Sequence, residues 1–473
     1  MAARQIVAIG GSDAGISAAL RARELDPTTE VTVVVADAYP NFSICGIPYY
    51  VSGEVTHWRN LAHRTADDLA ATGMRVRTDT TATRINVDDH ILDVLDPHGT
   101  RAHLPYDALI VGTGAVSVRP PIRGLTGPGA LGPAEGVALL HSMGDTFAVM
   151  DSLRQRNPKT AVIIGAGYIG LEMAEALTLR GIAVTQIEAL PEVLPTVDAQ
   201  LGALVRGELQ RHGVEVLTDT TVDAVARTDT GALTVTATHD GQILRRTVDF
   251  VLVVVGVRPD TALAVDAGAE LGVKGAIAVD DTMRTNLPDV FAAGDCVHTH
   301  HRLLGLTWLP LGTTAHKQGR VAGENALGRD ARFAGSLGTQ VVKVFDLVAA
   351  RTGLRDHEAR AAGRGWSPVS SASRPDDHKA YYPGATPIHI RITGDHNTGL
   401  LLGAQLVGHR SAEIAKRVDT FAAAIFNAMT VDAISDLDLS YTPPLGSPWD
   451  ATQIATQDWV RQHRATTAQS LPV

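Results

Sequence analysis

Residues 161–172 read AVIIGAGYIGLE, and residues 6–15 read IVAIGGSDAG. Each stretch is an apolar, β-branched run that breaks at a glycine and continues as a helix-like segment, Leu171 to Leu179 in one case and Ile16 to Leu25 in the other. Strand, tight turn and helix in that order aim backbone N–H groups and a helix N-terminus at one point, where a dinucleotide pyrophosphate binds. The turn Gly165, Gly167, Gly170 is complete. In the first turn Gly10 and Gly15 keep their places and Ser12 takes the middle one, where it can donate a hydrogen bond. Two such turns in one chain predict two dinucleotides and an α/β fold.

Working outward, each turn is followed by a second apolar run, Val31 to Ala36 and Ala183 to Ile187. Glu188 ends the later one, about 20 residues past the first glycine, where a carboxylate accepts from a ribose 2′-OH and repels a 2′-phosphate. It therefore favours NAD(H) over NADP(H). Each unit also has a buried strand that stops at glycines: Leu109 to Val111 before Gly112 and Gly114, and Phe250 to Val255 before Gly256. The two units read as internal repeats, with the Pro- and Gly-rich segment 118–136 as a linker between them. Residues 289–295, DVFAAGD, form a strand ending in Asp295, whose carboxylate can accept from a ribityl hydroxyl; a helix follows from Gly312 to Leu327. From Phe333 the pattern changes, with strands at Gln340 to Phe345 and Ile388 to Thr393 and a helix at Ala412 to Met429. An aromatic tail, Tyr441 to Trp449, follows, and the whole reads as a separate α+β domain.

The 473-residue chain is long enough for several domains, and with 45% hydrophobic and 19% charged residues it is globular in composition. A net charge of −10 without a basic block excludes a nucleic-acid binder and argues against adhesion to anionic membranes. The N-terminus runs directly into the first strand, with no signal-peptide pattern. Two cysteines, Cys45 and Cys296, make no disulfide scaffold and fit a reducing cytoplasm. Cys45 follows the second strand and precedes a Gly-Ile-Pro turn, so its thiol is expected near a helix start; a helix N-terminus and an oxidised flavin both lower a thiol pKa. Cys296 is expected to be structural. The run His298, Thr299, His300, His301 lacks ligand-spaced carboxylates or thiols and reads as a solvated loop, so no metal is assigned.

Taken together, NFSICGIPYY (41–50), GAGYIGLE (165–172), GVRPD (256–260), AAGDC (292–296), LPLGTTAHKQGR (309–320) and SYTPP (440–444) resemble the single-cysteine flavoprotein disulfide reductases. That group of pyridine nucleotide-disulfide oxidoreductases includes coenzyme A-disulfide reductase, NADH oxidase and NADH peroxidase. The resemblance covers essentially the whole chain. It implies two Rossmann-like three-layer domains, for FAD and NADH, and a C-terminal α+β dimerisation domain. The expected division is 1–118 and 271–332 for FAD, 119–270 for NAD(H) and 333–473 for dimerisation. A homodimer with an active site built from both subunits is also implied.

Carried over by motif, Cys45 is the redox cysteine, Tyr168 is similar to the tyrosine that covers the flavin, and Glu172 to the glutamate near the nicotinamide. Asp295 holds the ribityl chain, and Gly114 and Gly256 join the cofactor contacts. Val35 stands where the family places a glutamate for the FAD ribose, and Asp37 is the expected substitute. Tyr381 (in AYYPG, 380–384) and Tyr441 are similar to the paired tyrosines of coenzyme A-disulfide reductases, which reach the partner's cysteine. Oxidase and peroxidase members tend to have phenylalanine at the SYTPP position and histidine where this chain has Asp13. Ile44 offers no hydrogen bond beside the thiol, which argues against coenzyme A as the thiol.

These features imply an FAD-dependent NADH:disulfide oxidoreductase acting on a low-molecular-weight disulfide or persulfide. Two alternatives remain open at this point: an NADH oxidase or peroxidase cycling Cys45 through sulfenic acid, and an electron-transfer reductase with Cys45 silent.

Overall fold

Short β-branched runs bounded by glycines pair as parallel strands when helices cover both faces. That is the arrangement in the computed structural model, which describes residues 3–463. The chain begins with β1 (Gln5–Ile9), α1 (Asp13–Leu25), β2 (Glu30–Val34), α2 (Ile47–Ser52), β3 (Arg75–Arg77) and β4 (Ala108–Val111). The second unit follows as β5 (Val137–Leu139), β6 (Thr160–Ile164), α3 (Tyr168–Leu179), β7 (Ala183–Ile187), β8 (Glu215–Leu217) and β9 (Phe250–Val253). β10 (Val290–Ala292) and α4 (Gly312–Asn325) return to the first unit. The last part holds β11 (Gln340–Val344), β12 (Leu347–Gly353), β13 (Pro368–Ser373), β14 (Ile388–Asp395), β15 (Leu401–His409), α5 (Ile414–Phe426) and α6 (Ala451–His463).

The first two units are all-parallel five-stranded sheets, ordered β10-β4-β1-β2-β3 and β8-β7-β6-β9-β5. In each the glycine turn leaves the central strand, flanked by the strand that follows its helix and by the one that ends in glycines. Ile9 is in register with Val34 and Val111, as Ile164 is with Ile187 and Val253. The strand ends therefore form one rim, and the repeat seen in the sequence is a repeat in space. A two-stranded ribbon, Ala115–Ser117 with Val257–Pro259, ties the units together. At its ends the Gly114 carbonyl accepts from Asp260 N and the Gly256 carbonyl from Val118 N, both at 2.9 Å.

The C-terminal part is an antiparallel sheet, β11-β12-β15-β14-β13, with α5 against β12 and β15 and α6 against β13 and β14. Its near edge is not a separate core. Val342, Val344, Phe345, Ala349 and Val407 cluster with Leu171, Leu177 and Val205 of the second unit.

Three expectations differ from the structure. Both turn helices start earlier than their apolar periodicity, at Asp13 and Tyr168, because extended Ser12 and Gly167 take the cap positions. Segment 118–136 is not a free linker: Leu125 is buried, and Ile122 and Leu131 pack on the second unit. The histidine run is not a solvated loop. Thr299–His301 pairs with Gly305–Thr307, and His298 and His301 are buried.

Candidate active site

Gly10 has φ +107°, and a Cβ there would stand 2.0 Å from the Gly112 carbonyl oxygen; one on Gly15 would stand 2.2 Å from that of Gly10. The turn is thus closed against the end of β4 and leaves the N-terminus of the thirteen-residue α1 facing outward. Ser12 is exposed and makes no side-chain cap bond. Val35 sits beneath Gly11, where a Cβ would meet its Cγ1 at 2.5 Å. Asp37 is exposed just beyond β2, with Oδ1 accepting the Tyr39 N–H at 2.9 Å. Asp295 follows β10 with its carboxylate enclosed and without a hydrogen-bond donor; burial, and then the charge of Asp13, push it up to about 7. An enclosed carboxylate without donors beside a closed glycine turn fits a hydroxyl-bearing chain such as ribityl.

The second turn repeats the geometry. Cβ atoms on Gly165 and Gly170 would stand 2.5 Å from the Val254 carbonyl oxygen and 2.2 Å from that of Gly165, whereas one on Gly167 would meet nothing within 4 Å. That open backbone face is where a pyrophosphate approaches. Glu188 is buried at the rim, Oε2 accepting from Ala166 N at 2.7 Å and Oε1 from Leu190 N at 2.9 Å. The turn's own backbone therefore fixes the carboxylate at the end of β7.

Cys45 lies in the turn Ile44–Gly46 that runs into α2, and it is exposed. α2 packs on α3, and the Tyr49 hydroxyl donates to Glu172 Oε1 at 3.3 Å. The helix behind the thiol thus touches the helix that opens from the second glycine turn. The thiol is raised from its ordinary value, by the enclosure of its recess and then by the charges of Glu172, Asp13 and Asp295. In the protein by itself the expected helix contribution does not prevail: α2 has only six residues, and enclosure of the thiol, with three carboxylates from distant segments, outweighs its first turn. Burial also pushes Glu172 up to about 7, against the opposing Tyr49 hydrogen bond.

A pH-dependent test follows from these two shifts. A carboxyl raised to about 7 is neutral below that pH and charged above it, so its repulsion of the Cys45 thiolate acts only above pH 7. Glu172→Gln is expected to speed iodoacetamide alkylation of Cys45 above pH 7 and to leave it unchanged below pH 6. A uniform effect at all pH values would mean that Glu172 acts through packing.

Tyr168 donates its hydroxyl proton to Gln340 Oε1 at 2.5 Å and lies 3.1 Å from Thr196 Oγ1. Its ring is thereby tied to β11. Beside it Lys343 pairs with Glu175, which also accepts the Phe345 N–H at 2.8 Å. Cys296 is fully buried, with Sγ 3.4 Å from the Ala293 carbonyl oxygen. Tyr381 and Tyr441 are 73% and 44% exposed, and the Tyr441 hydrogen bond holds the Tyr381 phenol above its ordinary value. The structure thus brings the two tyrosines together on the surface of the C-terminal domain. Glu208, His212 and Asp346 also converge, but Arg211 pairs with Glu208 and Arg410 with Asp346, so arginines supply the positive charge there.

Sequence reasoning passed over Tyr49, Gln340 and His316. Tyr49 stands four residues after Cys45, and helical spacing could have flagged it. The other two are hydrogen-bonded to residues far away in the chain, Gln340 to Tyr168 and His316 to Ser17.

Residues 4–319 match the model of the pyridine nucleotide-disulphide oxidoreductases, and residues 339–451 match that of the dimerisation domain of the same family. The chain is similar to an NADH oxidase of Methanocaldococcus jannaschii, with 29% identity over 96% of this chain and 98% of the relative. It is also similar to an NAD(P)H sulfur oxidoreductase (CoA-dependent) of Pyrococcus furiosus, with 32% identity over 95% of this chain and 98% of the relative. Among solved structures, an NAD-dependent persulfide reductase from A. fulgidus superposes with a TM-score of 0.90 at 34% identity, covering 97% of this chain and 83% of that one. No helix among the described residues is long and apolar enough to cross a membrane. Two nucleotide-binding units, a dimerisation domain and matches along nearly the whole length lead to one conclusion: the chain belongs to the pyridine nucleotide-disulphide oxidoreductases, enzymes that couple FAD to NAD(P)H.

Proposed function

We propose that this protein is an NADH-dependent reductase of low-molecular-weight disulfides or persulfides, working as a cytoplasmic homodimer through Cys45. The observation that carries this reading is the Tyr49–Glu172 contact, which sets the exposed thiol at the helix that opens from the second glycine turn. Gly10, Ser12, Gly15 and the α1 N-terminus would hold the FAD pyrophosphate, Asp295 the ribityl chain and Asp37 the ribose, with Gly114 lining the same rim. Gly165, Gly167 and Gly170 would hold the NADH pyrophosphate and Glu188 its ribose, with Gly256 alongside. Tyr168 would cover the flavin until nicotinamide arrives, and Glu172 would lie beside it. FAD, when bound, accepts a hydride from NADH and passes two electrons on to sulfur.

The chain's own part is thiol exchange. Cys45 thiolate attacks one sulfur of RSSR, a Cys45–S–SR bond forms, and RS⁻ leaves. Two electrons that began as the NADH hydride then cleave this bond, returning Cys45 thiolate and releasing a second RS⁻. Two protons complete two RSH, so NADH, H⁺ and RSSR become NAD⁺ and 2 RSH. Tyr381 and Tyr441 of the partner subunit would donate to the leaving thiolates. Cys296, buried, offers no resolving thiol.

The test is an anaerobic panel of coenzyme A disulfide, other small disulfides and a small persulfide against NADH, with O2 and peroxide assayed separately. Disulfide or persulfide turnover should exceed both oxidants. The reverse order would overturn the reading in favour of an oxidase, the activity that the M. jannaschii relative's name carries. In the same assay Glu188→Gln, which removes the charge and keeps an acceptor oxygen for one of the two backbone N–H groups, should narrow the preference for NADH over NADPH by about tenfold. An unchanged preference would remove Glu188 from the ribose site.

A further inference from the structure

The last sheet reaches back to the mouth of the second glycine turn. Gln340, the first residue of β11, is in register with Arg351 of β12. The Tyr168 hydroxyl donates to Gln340 Oε1 at 2.5 Å, and its oxygen lies 3.1 Å from Thr196 Oγ1. A phenol has a single proton, and the bond to Gln340 uses it, so Thr196 is the donor in the second bond. Thr196 is held in its turn. Arg351 Nη1 donates to its carbonyl oxygen at 2.7 Å, and Arg355 Nη1 donates to those of Pro195 and Val197 at 2.8 and 3.1 Å. Both arginines pair with Glu358 at 2.7 Å. Segment 195–197 belongs to the second unit, yet its backbone is fastened to the C-terminal sheet. The two oxygens that grip Tyr168 therefore stand on one frame. Tyr168 itself opens α3 directly after Gly167, whose backbone face is open. One helical turn on, Glu172 accepts from the Tyr49 hydroxyl, so this face of α3 is the one that meets α2 and the Cys45 turn.

We propose that Gln340 and Thr196 latch the Tyr168 ring, which makes Gln340 a positioning residue through which the C-terminal domain sets the affinity for NADH. This rests on the reading of Tyr168 as the cover that nicotinamide displaces. A ring that pivots about its Cα–Cβ bond carries the hydroxyl away from both partners at once, so nicotinamide must break both hydrogen bonds to enter. A latched cover weakens binding by population: the apparent dissociation constant is the intrinsic one divided by the fraction of molecules whose ring is displaced. Loosening the latch raises that fraction without touching any group that contacts the nucleotide.

The experiment titrates FAD-loaded enzyme with a tetrahydro analogue of NADH, which cannot deliver a hydride, and reads the dissociation constant by calorimetry. Gln340→Met keeps the side-chain volume and removes the acceptor. It should tighten binding by about fivefold, the worth of a single hydrogen bond. Thr196→Val removes the other bond from a different element and should tighten binding by about twofold, which keeps the test open should Gln340→Met fail to fold. In a Tyr168→Phe background neither change should have any effect, because a phenyl ring offers nothing to latch. A packing role for Gln340 gives the same effect in both backgrounds. Unchanged or weaker binding in the single variants, or equal tightening alongside Tyr168→Phe, overturns the proposal. Flavin fluorescence separates the latch from the covering reading, since a phenol stacked on the flavin quenches it. Tyr168→Phe and Gln340→Met should both brighten the flavin. If Tyr168→Phe brightens it and Gln340→Met does not, the latch fails and the cover stands. If neither does, the covering reading falls and the latch falls with it.

Discussion

Cys45→Ser is expected to cut disulfide turnover by about a thousandfold or more, while NADH should still reduce the bound flavin at the wild-type rate. The two half-reactions use different parts of the molecule. In the proposed reaction hydride delivery would use the glycine turns, Asp295 and the Glu172 face of α3, none of which the sulfur supports. The disulfide half-reaction needs a nucleophilic sulfur open to substrate. Cys45 is exposed, whereas Cys296 is sealed beneath the first sheet and cannot take over. Stopped-flow bleaching of the flavin band reports the first half-reaction and steady-state disulfide reduction the second. A serine variant keeping more than a tenth of its disulfide turnover would make Cys45 a packing residue.

Tyr381→Phe combined with Tyr441→Phe is expected to slow disulfide turnover by roughly ten- to a thousandfold, the range around a lost acid–base group. Flavin reduction by NADH should not change. The phenols face solvent side by side, so the change removes proton donors and leaves the fold intact. Mixed dimers add a sharper readout. Neither the Cys45→Ser chain nor the double-tyrosine variant supplies a complete site alone. A dimer of one with the other, however, contains one intact site if the tyrosines act across the interface. Activity that reappears on mixing and subunit exchange supports the shared site. Mixtures no more active than the separate variants would place the tyrosines and the cysteine of one chain together, or remove the tyrosines from the reaction.

What the sequence showed plainly were features imposed by close backbone contact. A glycine turn is readable because another residue at Gly10, Gly15, Gly165 or Gly170 would collide with a carbonyl. Glu188 and Asp295 were readable as strand-end carboxylates, and each follows its strand, β7 or β10, at the C-terminal end. The charge around Cys45 was not readable. It depends first on the enclosure of the thiol and then on carboxylates from α1, α3 and the β10 end, which a local helix argument does not see. The Ser17–His316 bond joins residues 299 positions apart, and nothing in either segment announces the other. The contact of the Val35 methyl groups with Gly11 is likewise visible only in space.

The apolar seam between α3 and the edge of the last sheet bears on how this architecture can be recombined. Family descriptions divide the chain between residues 319 and 339, yet Val342, Val344 and Phe345 are buried against Leu171 and Leu177, on the far side of that division. A cut there would strip both pieces of shared interior and leave each with a greasy flank. A chimera with a relative's last domain would inherit side chains shaped for another seam. Exchanging the solvent-facing segments around Tyr381 and Tyr441 keeps that interior whole, so substrate range can be re-engineered by loop grafting where whole-module swaps would misfold.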